Sequence, residues 1–139
     1  MADNNYIVID HDNDHNLGEI KITQNVIEIL LGIAASQVEG VYAMQGNLSS
    51  NLHSLIGRSS RGKGVNVSYD PQTNELAADL YVYLKYGYPV PQVAMQLQKT
   101  LNQQVKLMTD MTMNAINIHV VGVLAPKSHG EPKVASENN

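Results

Sequence analysis

The first third of the chain changes from an alternating to a helical pattern of apolar positions. Residues 19–22 alternate polar and apolar side chains and predict a short strand. Thr23 then offers a capping hydroxyl to the apolar run 26–35, which predicts a helix to about residue 38 with Gly40 just past its end. Residues 41–44 predict a second short strand. Because the helix is apolar on more than one side, we expect more than one neighbour to cover it.

Two alternating segments around a turn predict a hairpin. Residues 65–69 and 76–85 flank the turn segment 70–74, which contains Asp, Pro and Asn. The longer segment has one apolar face, and its other face carries Asp79, Tyr81, Tyr83 and Lys85. Tyrosine is enriched at protein interfaces, and a sheet covered on one side leaves its other face open. We therefore interpret these four residues as a candidate self-association face, with the over-apolar first helix as the alternative surface.

A long amphipathic helix and a last strand complete the pattern. Pro89 and Pro91 suit a first helical turn, and one apolar stripe then runs to Met108. Residues 116–124 alternate again before Pro126. The predicted order is β-α-β-(loop)-β-β-α-β. This order is typical of an α+β fold, here a two-layer sandwich with two main helices packed on a mixed sheet.

The ends of the chain differ in composition from its middle. Residues 1–16 are rich in Asp and Asn and predict a flexible acidic arm, although a short apolar run occurs at 6–9. Residues 126–139 have few apolar side chains and predict a disordered tail. Residues 17–125 are then expected to form a single domain.

Composition limits the classes of function. The 139 residues include no cysteine, which excludes disulfides and thiol chemistry. A net charge of −4 argues against nucleic-acid binding driven by overall charge. The polar N-terminus lacks the features of a signal peptide, and the longest apolar run is too short to span a membrane. The lack of cysteine fits a reducing compartment, and if the protein meets a membrane we expect a partner to bring it there.

A glycine-rich segment at 57–64 resembles a phosphate-binding P-loop in its G-x-x-x-x-G-K spacing. The next residue is Gly64 instead of Ser or Thr, and the segment precedes a predicted strand, whereas a P-loop follows one. Arg58, Arg61 and Lys63 nevertheless form a basic cluster on an acidic protein. They are a candidate site for an anion or an acidic partner, and the alternative is a solvated loop.

Residue types suited to catalysis or metal binding occur without a supporting pattern. A calcium loop that starts at Asp10 would need Gly at its sixth position and Glu at its twelfth, but His15 and Lys21 stand there. Asp79 with a tyrosine and Lys85 could form an acid–base set, and the alternative is cross-strand pairing on an exposed face. His119 has no evident partner. We predict no enzyme activity, no catalytic residue, no cofactor and no metal.

Several segments together resemble the alkaline shock proteins, small envelope-stress proteins of Gram-positive bacteria. They occur in the family's order between about residues 17 and 124, and no single segment is specific. The matching segments are Gly18-Glu-Ile-Lys-Ile-Thr, Val26-Ile-Glu, Gly32-Ile-Ala-Ala-Ser, Val38-Glu-Gly-Val-Tyr-Ala-Met, Gly62-Lys-Gly-Val-Asn-Val, Asp79-Leu-Tyr-Val-Tyr-Leu-Lys-Tyr-Gly, Pro91-Gln-Val-Ala and Ile116-Asn-Ile-His-Val-Val-Gly-Val.

The resemblance implies a non-enzymatic cytoplasmic protein that acts in cell-envelope homeostasis under stress. It also implies association with the inner face of the membrane through protein partners. From the resemblance together with the tyrosine face, we expect a homo-oligomer whose protein partner is a membrane-anchored protein or a metabolic enzyme. Some members of the family resemble modulators of acetyl-CoA carboxylase, so regulation of fatty-acid synthesis through a metabolic enzyme is the alternative. Anion or nucleic-acid binding through the basic loop is a further alternative, with nucleic acid disfavoured by net charge.

Overall fold

A computed structural model describes residues 6–9, 17–46 and 64–125. Both predicted helices and all five predicted strands are present, so the α+β class is confirmed. One further strand, β1, precedes them. In chain order the elements are β1 (Tyr6–Ile9), β2 (Ile20–Thr23), α1 (Gln24–Ser36), β3 (Val41–Met44), β4 (Val65–Asp70), β5 (Glu75–Lys85), α2 (Val90–Thr109) and β6 (Ala115–Leu124).

The long strand β5 organises the main sheet. β4 pairs antiparallel with its first half, from Val65 opposite Leu80, and β3 pairs antiparallel with its second half. β3 and β4 therefore lie end to end along one edge of β5. They meet at Tyr81, which accepts a hydrogen bond from the Gln45 N–H (2.9 Å) and donates its own N–H to the Gly64 carbonyl (2.8 Å). β6 runs parallel to β5 along the other edge, which makes the sheet mixed, as predicted.

Strict alternation along β5 separates a buried from an open face of the sheet. The side chains at 76, 78, 80, 82 and 84 are at most 1% exposed, whereas those at the odd positions from Ala77 to Lys85 are partly exposed. Residues of both helices, among them Leu31 and Leu97, are buried in the same core cluster as Leu80. Each such leucine contributes roughly 1.5–3 kcal/mol through burial. Both helices thus cover one face and leave the other uncovered.

The helix ends largely follow the sequence signals. The Thr23 hydroxyl accepts a hydrogen bond from the Val26 N–H (3.3 Å), as expected of an N-cap. α1 ends at Ser36, before the predicted residue 38. Gly40, in the turn that follows, has φ +99°, and a Cβ there would approach Val93 Cγ2 to 2.7 Å, so glycine favours the close passage of this turn along α2. The predicted apolar stripe of α2 is buried at Val93, Leu97, Leu101 and Val105, but Val90 is 39% and Met108 is 63% exposed.

β1 was absent from the predicted element order. Tyr6–Ile9 pairs antiparallel with Ile20–Thr23 in a separate two-stranded sheet. Ile7 is fully buried in the core cluster, while Val8 is 46% exposed. Part of the segment that was predicted to be a flexible arm is therefore a strand. The other residues of the predicted arm and the predicted tail at 126–139 lie outside the described residues. The limits of the domain therefore stay predictions.

Candidate functional site

The predicted self-association face lies on the open side of the sheet. Asp79, Tyr81, Tyr83 and Lys85 occupy alternate positions of β5 and point away from the helices, and each is partly exposed. The alternation that predicted this face follows from the two-residue period of a strand. We call the surface formed by these four residues, together with Asn117 and His119 of the neighbouring strand, the open face.

The parallel register of β6 brings His119 to Asp79. Asp79 lies opposite Asn117, and Tyr81 lies opposite His119. The Asp79 carboxylate accepts hydrogen bonds at Oδ1 from His119 Nε2 (3.1 Å) and from Asn117 Nδ2 (3.2 Å). Since an ionised carboxylate only accepts, the imidazole is the donor in this pair. The hydrogen bond from His119, followed by that from Asn117, holds the pKa of Asp79 below its ordinary value.

Stacked rings extend this polar cluster along the open face. The Tyr81 and His119 rings lie 4.4 Å apart between centroids and are within 10° of parallel. Further along, a bulge in β6 places Gly122 opposite Tyr83. A Cβ at Gly122 would lie 2.9 Å from Cδ1 of the Tyr83 ring, so the ring occupies the space that a side chain would fill. The open face is therefore a flat surface of aromatic rings and hydrogen-bonded polar groups.

The sequence suggested an acid–base set of Asp79, a tyrosine and Lys85. In the structure the Asp79 carboxylate instead accepts hydrogen bonds from His119 and Asn117. The side chains of Asp79 and His119 are each 43% exposed, so water solvates them and the low pKa keeps Asp79 ionised. Within residues 6–9, 17–46 and 64–125, no group of three His, Asp or Glu side chains could hold a metal ion. The arrangement suits contact with a flat surface.

Sequence reasoning did not predict that His119 would have a partner. The pairing depends on the register between β5 and β6, which are separated by the whole of α2. The sequence does show two alternating strands separated by a helix, which favours parallel pairing of the strands. This pattern does not determine which residues of the two strands lie opposite each other. Arg58, Arg61 and Lys63, the other predicted site residues, lie outside the described residues, so the basic-loop site stays a prediction.

A second surface lies between the two helices on the side away from the sheet. Val26 and Ile33 of α1 are each 43% exposed there. They help to form a groove of about 770 Å³ that we call the interhelical groove. Its lining residues are Val26, Ile29, Leu30, Ile33, Ala34, Gln37, Val38 and Glu39 from α1 and the segment after it, and Gln96, Thr100, Gln104 and Met108 from α2. The sequence indicated an over-apolar α1 but not this groove.

The helices themselves do not cross a membrane: neither α1 nor α2 in the described part of the chain is both long and apolar enough to do so.

Comparisons with known proteins give the chain its family. It is 38% identical to the protein YqhY of Bacillus subtilis (strain 168) over 123 residues. The aligned region covers 88% of this chain and 89% of the relative. It is 27% identical over 122 residues to a stress response regulator gls24 homolog of Streptococcus pyogenes (serotype M3, strain MGAS315), over 87% of this chain and 67% of the relative. A solved structure of the MamM CTD matches 75% of this chain with a TM-score of 0.47 and 12% identity.

A family model matches residues 12–125, which include every strand and helix except β1. This match and the gls24 relatives confirm the predicted membership of the alkaline shock proteins. The chain therefore belongs to the ASP23 (alkaline shock protein) family, whose function is related to the cell envelope.

Proposed function

We propose that the protein acts without catalysis in cell-envelope homeostasis under stress, by associating with copies of itself and with protein partners at the cytoplasmic face of the membrane. The family supports the envelope role, and relatives named as stress response regulators support the link to stress. The observation that carries the self-association is the open face, a partly exposed row of aromatic side chains on the side of the sheet that α1 and α2 leave uncovered.

The open face has the chemistry of a contact surface between two copies. Its centre is aromatic, and stacked rings retain much of their apolar area for a partner. Asp79 and Lys85 stand at the two ends of the β5 row, about 20 Å apart along the strand. When two copies meet face to face with their β5 strands antiparallel, Asp79 of each lies near Lys85 of the other. The two tyrosines of each copy then meet at the centre.

Removal of the central rings tests this function. We expect Tyr81→Ser with Tyr83→Ser to weaken self-association at least about tenfold, because aromatic residues at the centre of an interface carry most of its energy. Sedimentation equilibrium of the full chain measures the change. Tyr86→Ser is the matched control, since Tyr86 is 70% exposed in the turn after β5 and lies outside the open face.

Two results would contradict the assignment. One is a wild-type chain that stays monomeric at the highest attainable concentration. The other is an oligomer that Tyr81→Ser with Tyr83→Ser leaves unchanged while circular dichroism shows an intact fold. A charge exchange gives an independent check: Lys85→Asp should weaken association by placing two carboxylates together, and Lys85→Asp with Asp79→Lys should recover it.

A further inference from the structure

The helix α1 has two apolar sides, and the described residues cover only one of them completely. Ile27 and Leu31 are fully buried against the core. Val26 and Ile33 lie on another side of the same helix, and each keeps 43% of its surface exposed. A helix that is apolar on most sides normally has neighbours on most sides. In the described part of the chain, α1 contacts α2 and strands β2, β3 and β4, which leaves the ridge along Val26 and Ile33 partly open.

The interhelical groove follows this open ridge. Its α1 side runs from Val26 to the end of the helix at Ser36, about 15 Å, and continues to Val38 in the segment after the helix. Glu39 and Gln96 line the same end of the groove, and the Tyr88 hydroxyl donates a hydrogen bond to Glu39 Oε2 (3.3 Å) just before α2 begins. The end of α1 thus lies beside the start of α2, and the two helices run in opposite directions. The groove is a straight channel about three helical turns long.

The chemistry of the groove selects the kind of element that fits it. Its floor is aliphatic, and its α2 wall carries the neutral polar groups of Gln96, Thr100 and Gln104. It is formed between two helices, whose backbone groups are already hydrogen-bonded within each helix, so an extended strand would find no backbone partners. A helix satisfies its own backbone and presents only side chains. We propose that the interhelical groove binds the apolar stripe of an amphipathic helix from a partner protein.

Charge sets the direction of the bound helix. Among the twelve lining residues only Glu39 carries a charge, and it lies at the end of the groove next to the C-terminus of α1. The C-terminus of a helix also attracts positive charge through its dipole. The partner helix therefore carries a lysine or arginine at the end that meets Glu39. Met108 lies at the opposite end, where its unbranched side chain can adapt to an apolar residue of the partner.

A designed peptide tests the proposal without a known partner. The probe is a fluorescein-labelled helical peptide of about five turns, with leucines at i, i+3, i+4 and i+7 repeats and glutamines elsewhere. Its one lysine is at the N-terminal end, because the positive end of the peptide's dipole then also faces the C-terminus of α1. We expect saturable binding to the full-length chain by fluorescence anisotropy. Ile33→Asp should weaken it at least about tenfold, because a buried unpaired charge in an apolar groove is costly. Glu39→Gln should weaken the lysine peptide severalfold and leave a peptide with glutamine at that end unaffected.

Matched controls separate this site from general stickiness. Leu107→Asp places the same charge on α2, next to Met108 of the groove lining. Leu107 is 76% exposed and does not itself line the groove, so this variant should leave binding unchanged. A peptide with the same composition but no apolar stripe should not bind. Equal affinity for the wild type and Ile33→Asp, or no binding of the striped peptide, would overturn the proposal. So would light scattering in which Ile33→Asp converts a dimer to a monomer, because a second copy would then occupy the groove.

The inference rests on the proposed function only in its reliance on protein contacts. Tyr81→Ser with Tyr83→Ser should not change peptide binding, and Ile33→Asp should not change association through the open face. Failure of one test thus leaves the other surface in place.

Discussion

At the scale of single residues, Asp79 shows how one strand changes the chemistry of another. The hydrogen bond from His119 is the main cause of its low pKa, and Asn117 contributes less. We expect His119→Ala to raise the pKa of Asp79 toward its ordinary value, and Asn117→Ala to raise it less. Carbon-detected NMR titration of the carboxyl group measures both. An Asp79 titration midpoint that does not move in His119→Ala would show that this contact is not formed in solution.

The same pair determines a narrow pH dependence of stability. A carboxylate whose pKa is depressed on folding contributes stability that is present above its unfolded pKa. This contribution is lost as pH falls through the lower folded value. The window therefore lies below the ordinary aspartate pKa, far from neutral pH. His119→Ala should flatten the acid limb of the stability curve, because it lowers stability at neutral pH and changes it little below the folded pKa, where the contribution is already lost.

At the scale of elements, α1 protects the outer edge of β4. Gln24 Nε2 donates to the Val67 carbonyl (2.8 Å), and the Val67 N–H donates to Glu28 Oε2 (3.1 Å). Gln24 and Glu28 are four residues apart and therefore lie on one side of the helix. One helix side thus satisfies both backbone groups of a single edge residue, which blocks edge-to-edge pairing at that point.

Glu28 gives the contact between α1 and Val67 a measurable pH dependence. Burial raises the pKa of its carboxyl group, and the hydrogen bond from Val67 offsets this only in part. A raised pKa means that this group's stabilising contribution is full below the ordinary value of 4.5 and is lost as pH rises through the folded value. In Glu28→Gln the amide oxygen still accepts from Val67 without a charge to desolvate. We expect higher stability at neutral pH and a flatter pH profile in urea unfolding.

Glu19→Gln is the matched control for this prediction, since the Glu19 side chain is 64% exposed and pairs with Lys21 at the surface. It should change stability little at any pH. If Glu28→Gln is less stable than the wild type at neutral pH, the charge of Glu28 strengthens the bond to Val67 by more than its desolvation costs.

Elements with a complete local pattern were predictable from the sequence. The alternation of β5 placed Leu80 in the core and Tyr81 on the open face because a strand has a fixed two-residue period. Thr23 marked the start of α1 because an N-cap is local chemistry, whereas α1 ends at Ser36 with Gln37 as its cap, and Gly40 lies in the turn that follows. Met108 was predicted on the buried stripe of α2 and is exposed, because the buried residue of the last turn is Thr109, four positions after Val105, while Met108 faces the interhelical groove. Helical periodicity allows a step of three or four residues and does not decide between them.

At the scale of the whole molecule, pairings between distant segments were beyond the sequence pattern. β1 has only four residues in a polar context, and its position is fixed by pairing with β2 and by a core that accepts Ile7. Neither condition is local. The contact of His119 with Asp79 and the end-to-end arrangement of β3 and β4 depend in the same way on register, which the chain sets only when the core closes.

Ile7 tests whether β1 belongs to the cooperative fold. We expect Ile7→Ala to lower the free energy of unfolding by about 2–5 kcal/mol, because it removes a fully buried side chain from the core. Val8→Ala changes the next residue, which is 46% exposed, and should cost under about 1 kcal/mol. Chemical denaturation of both variants measures the difference. Equal small effects would assign residues 6–9 to the arm that the composition predicted.

The meeting of Gln45 and Gly64 at Tyr81 has a practical consequence. Both residues are hydrogen-bonded to the same residue of β5, one to its carbonyl and one to its amide. A Cβ at Gly64 would lie 2.8 Å from the Gln45 carbonyl oxygen, so the chain leaves and re-enters the sheet at nearly the same point. A foreign domain whose own termini are adjacent could be inserted into the connection between these two residues without stretching the sheet. This junction is therefore the natural position for an internal fluorescent reporter that follows the protein in living cells.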